Sequence, residues 1–416
     1  MITVIDSIMG SGKTSWAIQH VNEADYCNDR FLYITPFLDE VKRIMDKTDV
    51  DFFQPQNRGK GKLNNINMLF QKGSNIASTH ELFKNFDENT RSNIREISQT
   101  LNYTLILDEV LNVIEPYTEL KQGDLRILKQ GGWITIDEDG FVIWNEKEYK
   151  LDSKYNDIKQ LAITKSLLCI NDTILLWRYP PEIFSYFKNI YILTYMFDAS
   201  ILKYYFDVYH IDYTVKSIIL ENGFYKIVDY YKPDTTKYQD IINIYEGKLN
   251  ENIPCKLTSF SSSWFDTANK NYTDKLKNNI YNYFTNIINS SSKDIMWTCF
   301  KKAKNKLKGK GYTKQFVPCN CRSTNDYNEK STLVYCCNIF FHPGITNFFS
   351  KHNLTLNANK YALSEMIQWI WRSKIRNDEK INIYIPSVRM RMLLKEWLKL
   401  DDEKINEKKF LGSQTS

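Results

Sequence analysis

Short apolar runs alternate with stretches in which apolar residues recur at helical spacing, and this alternation predicts an α/β fold with parallel sheets. The first run is the β-branched stretch at residues 2–6, and the first helical spacing follows from Trp16 to Val21. Further strands are predicted at residues 30–36, 74–80, 105–110, 173–177 and 191–197, with helices at 38–45 and from residue 81. We therefore expect a first α/β domain at residues 1–200.

The second half of the chain returns to this pattern after a tyrosine-rich connecting segment that begins at residue 201. Strands are predicted at residues 213–220, 224–229, 294–300 and 380–386, and helices at 275–288, 364–374 and 389–400. The polar stretch at 401–416 has few apolar residues to bury and is expected to be a loose tail. Residues 201–416 are therefore expected to form a second domain whose α/β core starts near residue 275.

A β-hairpin insertion is predicted near residues 133–150. Two β-rich runs, 133–136 and 141–144, are separated by Asp137-Glu138-Asp139-Gly140, and polar residues ending in glycine favour a turn. The hairpin interrupts the α/β alternation of the first domain.

The loop between the first strand and the first helix has the chemistry of a phosphate-binding loop. Small residues let consecutive backbone N–H groups surround a phosphate, a lysine reaches the β- and γ-phosphate oxygens, and a hydroxyl binds Mg²⁺. Ser7 stands where the usual G-x-x-x-x-G-K-[ST] pattern begins with glycine. The residues expected to bind the nucleotide are Gly10, Ser11, Gly12, Lys13, Thr14 and Ser15.

Two acids, Asp108 and Glu109, follow the apolar run Leu105-Ile106-Leu107. An acid at the carboxyl end of an apolar strand is the usual partner of a phosphate-binding loop. Asp108 and Thr14 are expected to hold Mg²⁺, while Glu109 orients the attacking water. The sequence therefore predicts a nucleoside-triphosphate hydrolase with Lys13 and Glu109 among its catalytic residues.

The composition is that of an ordinary globular protein, with 43% hydrophobic and 25% charged residues in a chain of 416. This balance excludes fibrous and fully disordered classes. The chain starts with a strand and loop rather than a charged and apolar leader, and no apolar run approaches the roughly 18 residues of a membrane span. We therefore expect a cytoplasmic protein with reduced cysteines and no membrane partner.

The densest basic stretch of the chain is the lysine run at residues 301–314, which follows Trp297 and Phe300. Cations next to aromatic rings suit a single-stranded nucleic acid, whose phosphates need positive charge and whose bases need stacking surfaces. A solvated amphipathic helix would have a similar composition. The net charge of +6 favours an anionic partner only mildly, so the two interpretations stay open.

Residues 368–376 resemble the last motif of superfamily 2 helicases, a glutamine followed by two spaced arginines, here Gln368, Arg372 and Arg376. The whole chain resembles the phage-encoded, DEAD/DEAH-like members of this superfamily, because the loop MGSGKT and the acids of LDEV precede that motif in the family's order. The arginines are four apart where the common pattern has three, which leaves open which of them contacts phosphate. By order and position, the motifs that contact nucleic acid fall on Thr35, Pro36, Ser78, Thr79, His80, Trp297, Thr298, Lys301 and Asn325.

The resemblance implies two RecA-like P-loop domains in tandem that hydrolyse ATP between them, with Mg²⁺ as the metal. Gln368 and Arg372 or Arg376 would complete the catalytic set, the arginine stabilising charge on the γ-phosphoryl group. The implied function is an ATP-dependent helicase or translocase in phage DNA replication or recombination. Its implied partners are single-stranded or forked nucleic acid, DNA rather than RNA, and a replication or recombination protein. The hairpin insertion would then be a strand-separating wedge or a lid.

Two other functions fit part of the sequence. A thymidine-kinase-type phosphotransferase also combines a methionine before the loop with a later Asp-Glu pair, although it leaves the lysine-rich second half unexplained. An ATP-switched nucleic-acid-binding or remodelling protein without unwinding would share the fold. The complete set of Lys13, Thr14, Asp108 and Glu109 favours hydrolysis over a switch that has lost it.

Overall fold

The computed structural model describes residues 1–57, 59, 61–146, 155–251, 253, 256–320 and 326–400. The chain divides into two compact units. The first unit comprises Met1–Tyr231 and Phe341–Leu356, and the second comprises Lys232–Phe340 and the chain from Asn357 on. The predicted polar tail at 401–416 lies outside the described residues.

Strands and helices alternate through much of the described chain. The strands are Ile2–Asp6 (β1), Asp29–Thr35 (β2), Phe52–Phe53 (β3), Asn75–Thr79 (β4), Asn102–Asp108 (β5), Ile114–Pro116 (β6), Ile134–Ile136 (β7), Val142–Trp144 (β8), Leu167–Ile170 (β9), Ile174–Arg178 (β10), Asn189–Thr194 (β11), Thr214–Glu221 (β12), Phe224–Asp229 (β13), Ile242–Ile244 (β14), Ile295–Thr298 (β15), Thr332–Tyr335 (β16) and Ile381–Tyr384 (β17). The α-helices are Lys13–Asn22 (α1), Leu38–Lys47 (α2), Gly61–Gln71 (α3), His80–Lys84 (α4), Glu88–Ile97 (α5), Gln122–Gln130 (α6), Asn156–Ile163 (α7), Ile201–Val208 (α8), Ser262–Thr267 (α9), Lys270–Asn282 (α10), Lys304–Leu307 (α11), Pro343–Lys351 (α12), Ala358–Ile370 (α13) and Val388–Trp397 (α14).

The first unit is built on an eight-stranded sheet in the order β13-β12-β1-β11-β5-β2-β4-β3. All neighbouring strands are parallel except β12 and β13, which form an antiparallel hairpin at one edge. Apolar clusters line both faces of the sheet, which is why its central strands are almost continuously apolar. Because β12 pairs with β1, this sheet extends past residue 200, where we expected the first domain to end.

Between β5 and β11 the chain forms a small insertion. Strands β6, β10 and β9 make an antiparallel sheet, and β7 pairs with β8 as the predicted hairpin. Asp137 holds the turn, since its carboxylate accepts the Phe141 N–H at 2.7 Å. The inner face of the hairpin is buried with α6 and α7 in a core of its own. Residues 147–150 of the predicted insertion lie outside the described part of the chain.

Helix α12 belongs to the first unit although it follows β16 of the second in sequence. It packs against β6, β9 and β10 of the insertion. Gly344, at its first turn, lies so close to the insertion sheet that an added Cβ would be 2.7 Å from the Ile174 side chain. The absence of a side chain at this position therefore allows the helix to approach the sheet.

The second unit contains a four-stranded parallel sheet in the order β14-β17-β16-β15. The strands predicted at 294–300 and 380–386 are confirmed as β15 and β17, whereas β14 and β16 were not predicted. The core around β15 includes Trp297, Tyr312 and Tyr384. Among the described residues, no helix has the length and apolar character needed to cross a membrane.

Candidate functional site

The loop after β1 has the geometry of a phosphate-binding loop. Gly10 and Gly12 take φ values of 80° and 92°, a region that glycine enters without strain. The Lys13 ammonium donates to the backbone oxygens of Ser7 and Ile8 at 2.5 and 2.9 Å, so it turns back into the loop. The Ser11 hydroxyl is buried and has no hydrogen-bond partner among the described residues. An inward-pointing ammonium and an unpaired hydroxyl fit a phosphate ligand.

The Asp108 carboxylate lies at the carboxyl end of β5, beside this loop. Its Oδ2 accepts hydrogen bonds from the Thr14 hydroxyl at 3.2 Å and the Tyr33 hydroxyl at 3.0 Å. Desolvation first, and then the neighbouring Glu109 charge, raise the pKa of Asp108 to about 6. Oxygen ligands of this kind are the ones that Mg²⁺ prefers, so Thr14 and Asp108 fit the predicted metal.

Glu109 and His80 lie next to Asp108. Glu109 has a φ of 73°, which is uncommon for a residue with a Cβ, and its N–H donates to the Leu193 oxygen at 3.0 Å. The Nε2 of His80 is 3.1 Å from the Asp108 backbone oxygen. The sequence order assigns His80 to a nucleic-acid motif, and the structure brings it to the acid pair.

Asp6, the last residue of β1, and Ser7, the first residue of the loop, connect the loop to neighbouring strands, and sequence reasoning missed both roles. The Ser7 hydroxyl accepts the Ile218 N–H of β12 at 3.0 Å, which gives the departure from glycine a structural function. The Asp6 carboxylate accepts the N–H groups of Met196 and Phe197, each at 2.9 Å. The segment after β11 is thereby attached to the base of the loop.

The motif residues of the first unit differ in exposure. Thr35 and Ser78 are buried at the ends of β2 and β4, and the Thr35 hydroxyl has no hydrogen-bond partner within the described ranges. The Thr79 hydroxyl caps α4 by accepting the Leu82 N–H at 3.4 Å. Pro36 is partly exposed, as are Thr79 and His80. These three retain surface that a ligand can contact.

In the second unit, Trp297 and Thr298 are fully buried in β15. The Trp297 indole donates to the Tyr312 oxygen at 2.8 Å inside the core, so it supports the sheet and presents no ring surface for stacking. Lys301, three residues beyond β15, is exposed. Asn325 lies outside the described residues.

The lysine run at 301–314 forms short helical turns rather than one amphipathic helix, because only Lys304–Leu307 is α-helical. Some of its members have local partners: Lys302 pairs with Asp266 at 2.5 Å, and the Lys304 ammonium is 4.4 Å from the centre of the Phe316 ring. Others are exposed, including Lys301 and Lys310. The exposed members present positive charge to solvent.

Gln368, Arg372 and Arg376 do not share one helical face. Helix α13 ends at Ile370, earlier than the predicted residue 374, and Arg376 lies in a separate 3₁₀ turn. Arg372 is buried, whereas Arg376 is exposed. The Gln368 amide donates to the Ser364 hydroxyl at 3.3 Å. The neighbouring Trp369 and Trp371 are buried, as expected for core residues.

Comparison with known proteins places the chain in a family. A model described as the YonV C-terminal Rossmann-like domain matches residues 236–398, and one described as the YonV middle domain matches residues 114–177. The SPbeta prophage-derived protein YonV of Bacillus subtilis (strain 168) is 42% identical over 412 residues, covering 95% of this chain and 98% of that protein. The chain belongs to the YonV family. The middle-domain match starts at β6 and covers most of the insertion, and the C-terminal match contains the sheet of the second unit.

Similarity to solved structures shows the fold of this YonV-family chain. An XPD helicase matches with a TM-score of 0.52 and 13% identity over 96% of this chain and 94% of that one. Xpd4 of S. tokodaii matches over 95% and 93%, with 10% identity and a TM-score of 0.49. The likeness to the XPD helicase confirms the predicted fold, two RecA-like domains in tandem.

Proposed function

We propose that the chain is an ATP-dependent nucleic-acid helicase or translocase, with Mg-ATP bound at the carboxyl edge of the first sheet. The observation that carries this proposal is the hydrogen bond between Thr14 and Asp108, which joins the phosphate loop to the acid strand across 94 residues of sequence. When bound, Mg²⁺ neutralises charge on the β- and γ-phosphate oxygens. The helicase fold supports the proposal.

The proposed roles follow from the chemistry of each side chain. Lys13 binds the β- and γ-phosphates, Thr14 and Asp108 hold the metal, and Glu109 orients the attacking water. Arg372 or Arg376 stabilises charge on the γ-phosphoryl group, and Gln368 is the third proposed catalytic residue of this motif. The backbone N–H groups that surround the phosphates belong to Gly10, Ser11, Gly12, Lys13, Thr14 and Ser15.

Single-stranded or forked nucleic acid, DNA rather than RNA, is the proposed polymer. The exposure of Lys301 and of other lysines in the run supports this choice, because phosphate contacts dominate such binding. Partly exposed Pro36, Thr79 and His80 are proposed contacts in the first unit. The prophage origin of the YonV relative supports a role in phage DNA replication or recombination.

The test is steady-state ATP hydrolysis at fixed salt with single-stranded DNA, single-stranded RNA, duplex or no polymer. We expect stimulation by single-stranded DNA in the wild type and loss of hydrolysis in Lys13→Ala. Arg376→Ala is the informative second variant, since this side chain is exposed and its removal leaves the core intact. If none of the polymers stimulates ATP hydrolysis, the proposed helicase or translocase function is contradicted. Phosphate transfer to thymidine would instead support the phosphotransferase.

A further inference from the structure

The aromatic ring of Tyr225 packs against the phosphate-binding loop at Gly12. Tyr225 lies on the edge strand β13, and a Cβ added at Gly12 would be 2.0 Å from its Cε1 atom and 2.6 Å from its Cζ atom. Two features favour glycine at position 12: its φ is positive, and the Tyr225 ring occupies the space that a Cβ would fill. The ring and the loop fit one another.

Gln19 of α1 holds Tyr225 in this position. Its side-chain amide donates to the Tyr225 backbone oxygen at 3.2 Å and accepts the Tyr225 N–H at 2.9 Å. These backbone groups lie at the free edge of the sheet, where another strand would otherwise pair. Since α1 also carries Lys13 and Thr14, the ring is coupled to the helix that carries the residues proposed to bind phosphate and metal.

The two faces of β13 differ in what they contact. Tyr225 and Ile227 pack against the cluster that contains Trp16 and Ala17 of α1, and Tyr225 keeps part of its surface exposed. Phe224, the preceding residue, points to the other face and is 59% exposed. Phe224 is therefore a matched control for Tyr225, with a similar ring on the same strand.

We propose that Tyr225 binds the base of the nucleotide by stacking. A nucleoside attached to phosphates in this loop lies next to the loop, and Tyr225 is a partly exposed aromatic residue whose ring packs against the loop at Gly12. The inference rests on the proposed function, since it requires a nucleoside triphosphate at the loop. Stacking uses the π-face that every base has, so this contact selects weakly among ATP, GTP, CTP and UTP.

The test compares Mg-ATP with Mg-tripolyphosphate, which has the phosphates but no base, by calorimetric titration of the full chain. We expect Tyr225→Ala to weaken ATP binding by roughly tenfold or more, the effect of losing one stacked base. Tripolyphosphate binding should stay the same within experimental error. Tyr225→Phe should restore ATP binding, and Phe224→Ala should leave both ligands unaffected.

Three results would overturn the inference while leaving the nucleotide site in place. Equal weakening of ATP and tripolyphosphate would mean that the ring only shapes the loop. Unchanged ATP binding in Tyr225→Ala would mean that the base lies elsewhere, and tighter binding would mean that the ring obstructs the site. A wild-type chain that binds neither ligand would instead overturn the proposed function itself.

Discussion

Two hydroxyl groups hold the Asp108 carboxylate, one from helix α1 and one from strand β2. Thr14 follows β1 and is the candidate metal ligand, whereas Tyr33 is buried within β2 and reaches Asp108 from the side. Residues that orient a metal ligand contribute to metal affinity without touching the metal. Tyr33 therefore acts as a positioning residue for Asp108 in the proposed site.

Tyr33→Phe should raise the Mg²⁺ concentration for half-maximal ATP hydrolysis by roughly tenfold, as expected for loss of a partner of a metal ligand. The measurement is a Mg²⁺ titration of the hydrolysis rate at saturating ATP. Tyr103→Phe is the control, because its hydroxyl donates to the Ser74 oxygen at 2.7 Å near the other end of the sheet. An equal Mg²⁺ shift in both variants would argue against positioning by Tyr33.

Ser7 shows how a departure from a motif is used elsewhere in the fold. Its hydroxyl accepts the Ile218 N–H of β12. This N–H is buried, and without the Ser7 hydroxyl it would have no hydrogen-bond acceptor at this point of the sheet. A glycine at this position would match the usual loop pattern, but it would leave that N–H unsatisfied.

Ser7→Gly should therefore lower the free energy of unfolding by about 1–3 kcal/mol, the cost of an unsatisfied buried donor. Urea denaturation measures this change. Ser7→Ala separates the hydroxyl from backbone freedom, and it should reproduce most of the loss. If Ser7→Gly is as stable as the wild type, the bond to Ile218 does not contribute as described.

At the level of elements, α12 links a late part of the sequence to the insertion. The helix packs on β6, β9 and β10, with Gly344 at the closest approach, where an added Cβ would also be 3.2 Å from a Leu176 methyl carbon. Close packing of this kind leaves little room for another methyl group.

Gly344→Ala should destabilise the first unit by about 1–3 kcal/mol through overpacking against the insertion sheet. Thermal unfolding of the full chain gives the size of the effect. Gly123→Ala, in α6, is the control because nothing lies within 4 Å of its added Cβ. That control should be neutral or stabilising by up to about 1 kcal/mol, and a stable Gly344→Ala variant would contradict the close approach.

On the scale of the whole molecule, the distribution of charge matters more than the net charge of +6. Lys301 and Lys310 are exposed in the run after β15, whereas Lys293 and Lys380 are exposed just before β15 and β17, at the opposite edge of the same sheet. These pairs allow the same amount of charge to be removed either from the lysine run or from the opposite edge of the sheet.

The double variant Lys301→Gln, Lys310→Gln should weaken binding to single-stranded DNA and reduce its salt dependence by up to about 1.4 in the slope of log affinity against log salt, since each phosphate contact contributes about 0.7. Fluorescence anisotropy at several salt concentrations measures both. The double variant Lys293→Gln, Lys380→Gln should change neither by much. Equal effects from the two pairs would indicate non-specific attraction rather than a binding surface.

The α/β alternation, the phosphate loop, the acid pair and the β7–β8 hairpin were all predictable from local sequence. Each depends on the periodicity of a few neighbouring residues or on turn chemistry, and these properties act over short distances along the chain. The bounds of α13 were less accurate, because apolar spacing continues through Trp371 although the helix ends at Ile370.

Which residues of those elements contact one another was decided only by the tertiary structure. Tyr33 meets Asp108 across 75 residues of sequence, and Ser7 meets Ile218 across 211. The strands of the β12–β13 hairpin were predicted, but their place beside β1, and with it the contact of Tyr225 with Gly12, was not. Such contacts have no local signal, because parallel strands and returning segments such as α12 find their neighbours only when distant parts of the chain pack together.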